Sequence, residues 1–228
     1  MKTQFNMFHE AGLWPNALPG KSVRAGALLI AVAWLIVVCG GLWLLARYEN
    51  TPGPLTQPPQ QWPVASHIRR SPDRATLVML VHPQCPCTRA SMGELGAIMA
   101  HSQGRLTAFV LFLQPTGFTE DWVKTDLWKT AASIPGVNPI LDGDGYEARV
   151  FHALTSGQTA LYDQDGKLIF SGGITASRGH FGDNAGEMAI VALVNSKVPE
   201  QTETKVYGCP LFAPNSECPV LIDESNKR

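Results

Sequence analysis

An uncharged apolar run of 22 residues, from Ala25 to Ala46, constrains the fold of this chain more than any other feature. A helix needs roughly 20 apolar residues to cross the hydrocarbon core of a bilayer. Buried helices of water-soluble domains are seldom this long and this uniformly apolar. The run therefore predicts a transmembrane anchor over residues 25–46, preceded by a cytoplasmic segment over residues 1–24.

The charged residues that flank this run predict its orientation. Lys2, Lys21 and Arg24 precede it, whereas Arg47 alone follows it closely, with Glu49 beside it. Because positive charge tends to stay on the cytoplasmic side, we expect the N-terminus inside and the rest of the chain outside. A cleaved signal peptide is the alternative, but it expects a shorter apolar region and a small-residue cleavage site.

Composition divides the remainder of the chain. Residues 49–65 contain five prolines, which prevent a helix and favour polyproline II, so residues 47–65 are predicted to be a semi-stiff linker. A globular domain is expected over residues 66–200, and residues 201–228 form a C-terminal extension with a cysteine pair. The net charge of −1 excludes a strongly basic surface, so nucleic acid is not an expected partner.

Two cysteines lie one residue apart in the stretch HPQCPCTR, which begins at His82. A strand-like run precedes Cys85 and Cys87, and a helix-like run follows them. Amide N–H groups and the dipole at the start of a helix favour negative charge there. A thiol in this place loses its proton more readily, and the thiolate is the form that reacts or binds metal. The motif therefore predicts a thiol site.

Strand and helix patterns alternate through the domain. The predicted strands are 76–82, 106–113, 137–141, 159–162 and 167–171, and the predicted helices are 88–101, 120–133, 146–154 and 184–195. Asp183 is the predicted cap of the last helix. Helices alternating with strands, followed by a hairpin and a helix, predict an α/β fold with a central mixed sheet covered on both faces.

This order of elements resembles the thioredoxin-like superfamily over residues 70–197. The stretches HPQCPCTRA, LYDQDGKLIFSGGIT and SRGHFGDN more narrowly resemble a small group of exported proteobacterial proteins labelled RedB. The resemblance implies a thioredoxin-like fold with one N-terminal transmembrane helix. It also implies a thiol-disulfide oxidoreductase that is anchored in the inner membrane, with its C-terminal domain in the periplasm. The implied partners are an exported protein thiol or disulfide and a transmembrane electron donor.

The resemblance assigns roles to individual residues. Tethered members of the superfamily typically read Trp-Cys-x-x-Cys-Arg, so Cys85 takes the place of the exposed first cysteine and Arg89 that of the arginine. Thr88 takes the place of the second cysteine, and Cys87 lies one position early. Gly157 stands where the superfamily usually has a cis-proline, so the loop around it is expected to differ.

Disulfide exchange is the leading interpretation of the site. The Cys85 thiolate would attack a substrate disulfide, and Cys87 would resolve the mixed disulfide. His82 is expected to stabilise the thiolate or to relay a proton, and Arg89 is expected to add positive charge. This interpretation requires no cofactor.

Copper binding is the alternative interpretation, because Cu(I) favours thiolate ligands with imidazole as a frequent third. Some thioredoxin-like proteins carry copper for respiratory oxidases, using two cysteines and a distant histidine. The candidate ligands here are Cys85 and Cys87 with His152 or His180. A peroxidase ranks third because His82 stands where a threonine or serine is needed, and a non-catalytic module is a further option.

Cys209 and Cys218 bracket the loop-like stretch PLFAPNSE. A disulfide across a loop this short stabilises a fold by roughly 3 kcal/mol in the chain-entropy model. A structural Cys209–Cys218 disulfide is therefore predicted. The alternative is that Cys209 shuttles electrons to Cys85, which requires that the two cysteines lie close together. Cys39, inside the apolar run, is expected to be a packing residue.

Overall fold

The computed structural model describes residues 21–54 and 56–212, with side chains from residue 25 onward. The chain divides after Leu45 into two compact units. Helix α1 spans Lys21–Glu49, and its residues Ala25–Glu49 are long and apolar enough to cross a membrane. This helix is compatible with a single-pass membrane anchor near the N-terminus.

A mixed five-stranded sheet forms the centre of the second unit. Its strands are β1 (Ala75–Val81), β2 (Leu106–Gln114), β3 (Val137–Gly143), β4 (Gln158–Tyr162) and β5 (Leu168–Gly172). They lie in the order β3-β2-β1-β4-β5. Strands β1, β2 and β3 are mutually parallel, whereas β4 pairs antiparallel with both β1 and β5. The mixed sheet predicted from the sequence is confirmed.

Helices cover both faces of this sheet. They are α2 (Thr88–His101), α3 (Glu120–Val123), α4 (Asp126–Ser133), α5 (Tyr146–Val150) and α6 (Ala185–Val194). Met79 of β1 packs with residues of α2, α4 and α6 in one core cluster. Val78 and Leu80 pack on the opposite face with Phe151, which follows α5. Because both faces are buried, β1 is apolar at nearly every position.

Two local differences from the sequence prediction have a clear physical cause. The predicted helix 120–133 is two helices, because Thr125 is extended where it precedes α4. The Thr125 hydroxyl donates to the Pro83 carbonyl at 3.3 Å. This hydrogen bond connects the junction between α3 and α4 to the cysteine motif. Helix α6 is capped by Asn184 rather than Asp183, since the Asn184 side chain accepts a hydrogen bond of 2.9 Å from the Glu187 amide.

The proline-rich stretch predicted as a linker makes hydrogen bonds with the domain. The Trp62 amide donates to the Gly166 carbonyl at 2.7 Å. The Thr155 hydroxyl donates to the Pro54 carbonyl at 2.9 Å. Prolines lack an amide donor but keep their carbonyl acceptor, so such a stretch can bind along other backbone without forming a regular strand. This stretch therefore lies against the domain.

Candidate functional site: a cluster of three cysteine sulfurs

The cysteine motif forms a tight turn between β1 and α2. The Cys85 amide donates to the His82 carbonyl at 3.0 Å, and the Thr88 amide donates to the Cys85 carbonyl at 3.3 Å. Cys87 is the residue that precedes the first turn of α2. Both cysteines are buried and carry free thiols. The turn therefore places Cys85 at the N-terminal end of a fourteen-residue helix.

Hydrogen-bond donors surround the Cys85 sulfur and lower the pKa of its thiol to about 5. The largest cause is a hydrogen bond from the Cys87 thiol. The Thr88 hydroxyl and the backbone amides of Thr88 and Cys209 also donate to this sulfur, while burial acts in the opposite direction. Hydrogen bonds to the ionised form stabilise a thiolate. The amide of Thr88, the first residue of α2, therefore helps to stabilise the Cys85 thiolate, as the sequence predicts.

The two thiols share one proton, which resides on Cys87. Its pKa is raised because the Cys87 thiol donates to the Cys85 sulfur and because it is buried. The Arg178 side chain opposes this increase through its charge and a hydrogen bond. The site therefore holds a thiolate at Cys85 and a protonated thiol at Cys87.

A relay of hydroxyl groups supports Thr88. The His82 amide donates to the Ser156 hydroxyl oxygen at 2.8 Å, and the Ser156 and Thr88 hydroxyls lie 2.8 Å apart. With Ser156 accepting from His82 and donating to Thr88, the Thr88 hydroxyl proton is free to point at Cys85. Each hydroxyl then donates once and accepts once, which satisfies this buried network.

Of the two residues expected to stabilise the thiolate, His82 interacts with the charge of Cys85, whereas Arg89 is engaged elsewhere. Burial lowers the pKa of His82, and its Nδ1 atom accepts a hydrogen bond from the Gln84 amide at 3.2 Å. A neutral imidazole supplies no positive charge. Arg89 forms an ion pair with Asp126, and both side chains are largely exposed. The Arg178 cation acts on the Cys87 thiol.

Cys209 lies directly against the cysteine motif. Its sulfur is 3.0 Å from the Cys85 sulfur, and the sulfurs of Cys85, Cys87 and Cys209 all lie within 4.8 Å of one another. Cys209 is disulfide-bonded, whereas Cys85 and Cys87 are free. Cys218, its predicted partner, lies outside the described residues, so that pairing stays a prediction.

Backbone pairing holds Cys209 in this place. The Ser156 amide donates to the Cys209 carbonyl at 2.7 Å, and the Leu211 amide donates to the Leu154 carbonyl at 2.8 Å. A β-bridge joins Thr155 to Pro210 between them. Residues 207–211, here called the docked segment, therefore lie along the loop of residues 154–157, to which Gly157 belongs.

Gly157 has a left-handed conformation, with φ of +87°. Its amide donates to the Leu80 carbonyl of β1 at 2.7 Å. Glycine adopts this conformation at little cost, and proline has neither the positive φ nor the amide. The loop therefore differs from a cis-proline loop, as the sequence predicts.

The histidines of the copper interpretation lie apart from the cysteines. Among the described residues, the metal-ligating side chains that cluster around the motif are the three cysteines, and neither His152 nor His180 is one of them. His152 is exposed, and its Nδ1 atom lies 3.1 Å from the Gln57 carbonyl. His180 is also exposed.

Arg178 and Ser156 are site residues that the sequence pattern does not single out. Each lies in a loop far along the chain from Cys85, and nothing in its local sequence distinguishes it. The position of Ser156 next to the replaced cis-proline was the one available signal. Cys209 was flagged by its type, but its distance from Cys85 was not predictable.

The sheet order, with a cysteine turn between β1 and α2, defines a thioredoxin-like fold. No family model matches the sequence, and no curated protein matches it significantly. The narrower resemblance to the RedB group stays a prediction.

Solved structures with similar folds were found. An uncharacterized conserved protein from Geobacillus kaustophilus is 18% identical, with a TM-score of 0.51, and the match covers 73% of this chain and 96% of that one. The hypothetical protein SMc02350 from Sinorhizobium meliloti is 19% identical, with a TM-score of 0.51, and the match covers 63% and 82%. A secreted disulfide oxidoreductase of Mycobacterium tuberculosis matches at 14% identity and a TM-score of 0.35, over 42% and 66%. The first two likenesses concern the fold alone.

Proposed function

We propose that this protein is a membrane-anchored periplasmic thiol-disulfide oxidoreductase that uses the Cys85-Pro-Cys87 motif. The observation that carries the proposal is the hydrogen bond from the Cys87 thiol to Cys85, which helps to lower the pKa of the Cys85 thiol to about 5. At neutral pH such a thiol is almost entirely thiolate, and the thiolate is the attacking form in disulfide exchange.

Cys85 is the nucleophile in this proposal, and Cys87 is the resolving thiol. Attack by Cys85 on a substrate disulfide forms a mixed disulfide and releases one substrate sulfur as a thiolate. Cys85 then carries no negative charge, so the largest cause that raised the Cys87 pKa, its hydrogen bond to the Cys85 thiolate, disappears. Cys87 loses its proton to the released thiolate, attacks Cys85 and displaces the second substrate sulfur. The substrate gains two electrons, and Cys85 and Cys87 form a disulfide.

The location proposed for this chemistry is the periplasmic face of the inner membrane. Its support is the apolar helix α1, the positive residues before it and the disulfide at Cys209. Disulfides persist in oxidising compartments and are rare in the cytosol. The partners are then an exported protein disulfide as substrate and a transmembrane protein as electron donor.

The test uses the full chain in detergent and measures insulin reduction with dithiothreitol as the electron donor. We expect Cys85→Ser to abolish catalysis, and Cys87→Ser to leave a mixed disulfide at Cys85. Cys39→Ser is the matched control because it removes a thiol within α1, and it should retain the wild-type rate. A wild-type rate in Cys85→Ser would contradict the proposal.

Copper binding is a second candidate, favoured by the three sulfurs that lie within 4.8 Å of one another. Cu(I) takes thiolate ligands, so Cys209 would have to be reduced before it could join Cys85 and Cys87 as a third ligand. Cu(I) affinity measured by competition with a chelator, with Cys209 oxidised and then reduced, separates the two candidates. Tight binding only after reduction, together with no insulin reduction in any state, would favour copper.

A further inference from the structure

The docked segment covers the thiol on which the proposed function depends. Cys85 is 1% exposed and Cys209 is 2% exposed. Exchange requires that the attacking thiolate reach a disulfide sulfur directly. A folded protein substrate therefore has no path to the Cys85 sulfur while residues 207–211 stay in place, whereas a disulfide sulfur of this chain is already 3.0 Å away.

The docked segment is bound through its main chain to the loop of residues 154–157. Main-chain hydrogen bonds at 2.7 and 2.8 Å flank Cys209, and Arg178 donates to the Gly208 carbonyl at 2.7 Å. Main-chain bonds of this kind supply affinity in peptide recognition by strand addition. The chain thus presents one of its own disulfides to Cys85 in the manner of a bound substrate.

Gly208 makes this close approach possible. A Cβ atom at this position would lie 1.9 Å from the Ser156 carbonyl oxygen, a distance that no side chain tolerates. The fit of the docked segment is therefore tight on the side that faces Ser156, and it keeps the Cys209 sulfur beside Cys85.

We propose that Cys209 is a second redox-active cysteine, and that electrons pass between the Cys85–Cys87 pair and protein substrates through the Cys209 disulfide. This inference rests on the proposed thiol-disulfide chemistry of Cys85. The docked segment is then a built-in substrate. Once its disulfide is reduced, the sulfur that was paired with Cys209 attacks an external protein disulfide as a thiolate and releases one substrate sulfur, and Cys209 then displaces the second substrate sulfur and reforms the pair. The sequence predicts that the sulfur paired with Cys209 belongs to Cys218.

The steps balance. The Cys85 thiolate attacks the Cys209 sulfur, so the Cys85–Cys209 bond forms, the original Cys209 disulfide breaks, and its partner sulfur leaves as a thiolate. Cys87 gives its proton to that thiolate and attacks Cys85. The Cys85–Cys87 bond then forms and Cys209 leaves as a thiolate. Two electrons have moved from the Cys85–Cys87 pair to the Cys209 pair, and the reverse sequence returns them.

The first experiment traps the intermediate in the full chain in detergent. Cys87→Ala removes the resolving thiol, so a Cys85–Cys209 disulfide should accumulate and appear as a cross-linked peptide pair in non-reducing mass spectrometry. Cys87→Ala combined with Cys39→Ser should give the same pair. Absence of the pair, while Cys85 remains free to react with iodoacetamide, would overturn the proposal.

The second experiment separates electron transfer through Cys209 from direct reduction of a disulfide by Cys85. In Cys209→Ser/Cys218→Ser, insulin reduction should fall to background while hydroxyethyl disulfide, a small substrate, is still reduced through Cys85. Insulin reduction at or above the wild-type rate would overturn the proposed electron transfer through Cys209 and leave the proposed function intact. Loss of both activities with native circular dichroism would also overturn the proposed role of Cys209, because Cys85 would then lack reactivity of its own. A wild-type rate in Cys85→Ser would instead overturn the proposed function.

Discussion

Arg178 donates a hydrogen bond of 2.7 Å to the carbonyl oxygen of Gly208, the residue before Cys209. The same side chain interacts with the Cys87 thiol. One guanidinium group thus connects the dithiol to the docked segment that covers it. Changes in the ionisation of Cys87 and in the position of Cys209 are therefore expected to be coupled through this residue.

Replacing Arg178 with methionine should uncover Cys85. A hydrogen bond from a charged donor contributes about 1.5–3 kcal/mol, so its loss should raise the population with an undocked segment about tenfold or more. We expect faster alkylation of Cys85 by iodoacetamide, read by mass spectrometry in the full chain. Arg178→Lys keeps the charge and should show a smaller increase. Equal alkylation rates in wild type and Arg178→Met would show that this bond does not hold the segment.

Replacing Gly208 with alanine should displace the docked segment from the opposite side. The new methyl group would meet the Ser156 carbonyl, and the hydrogen bond from Ser156 to Cys209 would break. Cys85 should then react faster with iodoacetamide. Gly143→Ala is the matched control, because a Cβ atom there meets nothing within 4 Å. A similar acceleration in both variants would indicate a general loosening of the fold.

Removing the Cys87 thiol should raise the pKa of Cys85 from about 5, because the Cys87 hydrogen bond is the largest cause that lowers it. In Cys87→Ala the value should move toward the ordinary thiol value of about 8.5. Ultraviolet absorbance of the thiolate, followed against pH and corrected with Cys85→Ser, measures this change. An unchanged titration would mean that the Thr88 hydroxyl and the backbone amides hold the charge without the Cys87 thiol.

Replacing Thr88 with valine should also raise the pKa of Cys85, since the Thr88 hydroxyl donates to its sulfur. Valine matches threonine in shape but has no hydroxyl. The change should be smaller than that in Cys87→Ala, because the Thr88 hydroxyl lowers the Cys85 pKa less than the Cys87 thiol does. Thr88→Ser keeps the hydroxyl and should titrate close to wild type, whereas a large change in Thr88→Ser would point to packing instead.

Glu94 should make the domain less stable as the pH rises. Burial raises the pKa of its carboxyl, and the charges of Glu187 and Asp183 act in the same direction. A carboxyl with a raised folded-state pKa favours folding when protonated, so its cost appears above the unfolded-state pKa and is complete above the folded-state value.

We expect Glu94→Gln to unfold at a higher denaturant concentration than wild type at about pH 7, and at a similar one at about pH 4 or below, where an unperturbed glutamate is protonated. Gln keeps a carbonyl oxygen for the Gly182 amide, which donates to Glu94 at 2.6 Å. Chemical denaturation of the full chain in detergent at both pH values measures the difference. Greater stability of wild type than of Glu94→Gln at pH 7 would contradict this prediction.

Helix α2 shows what a short-range sequence pattern can predict. The sequence predicts a helix over residues 88–101, and α2 spans the same residues, because its apolar spacing and its preceding turn are local properties. The same reasoning predicts that the start of this helix favours a thiolate at Cys85. The sequence predicts one helix over residues 120–133 because its pattern is locally continuous. The structure has a break at Thr125, whose hydroxyl donates to the Pro83 carbonyl of a distant segment.

The sequence by itself determined the apolar helix, the alternation of strands and helices, and the position of Cys85 in the turn before α2. Each of these depends on residues within a few turns of one another. Only the tertiary structure decided that Cys209 and Arg178 meet the cysteine pair and that Arg89 does not. The physical reason is that contacts between distant segments depend on how the sheet and its loops pack together, and neither residue type nor spacing along the chain encodes those distances locally.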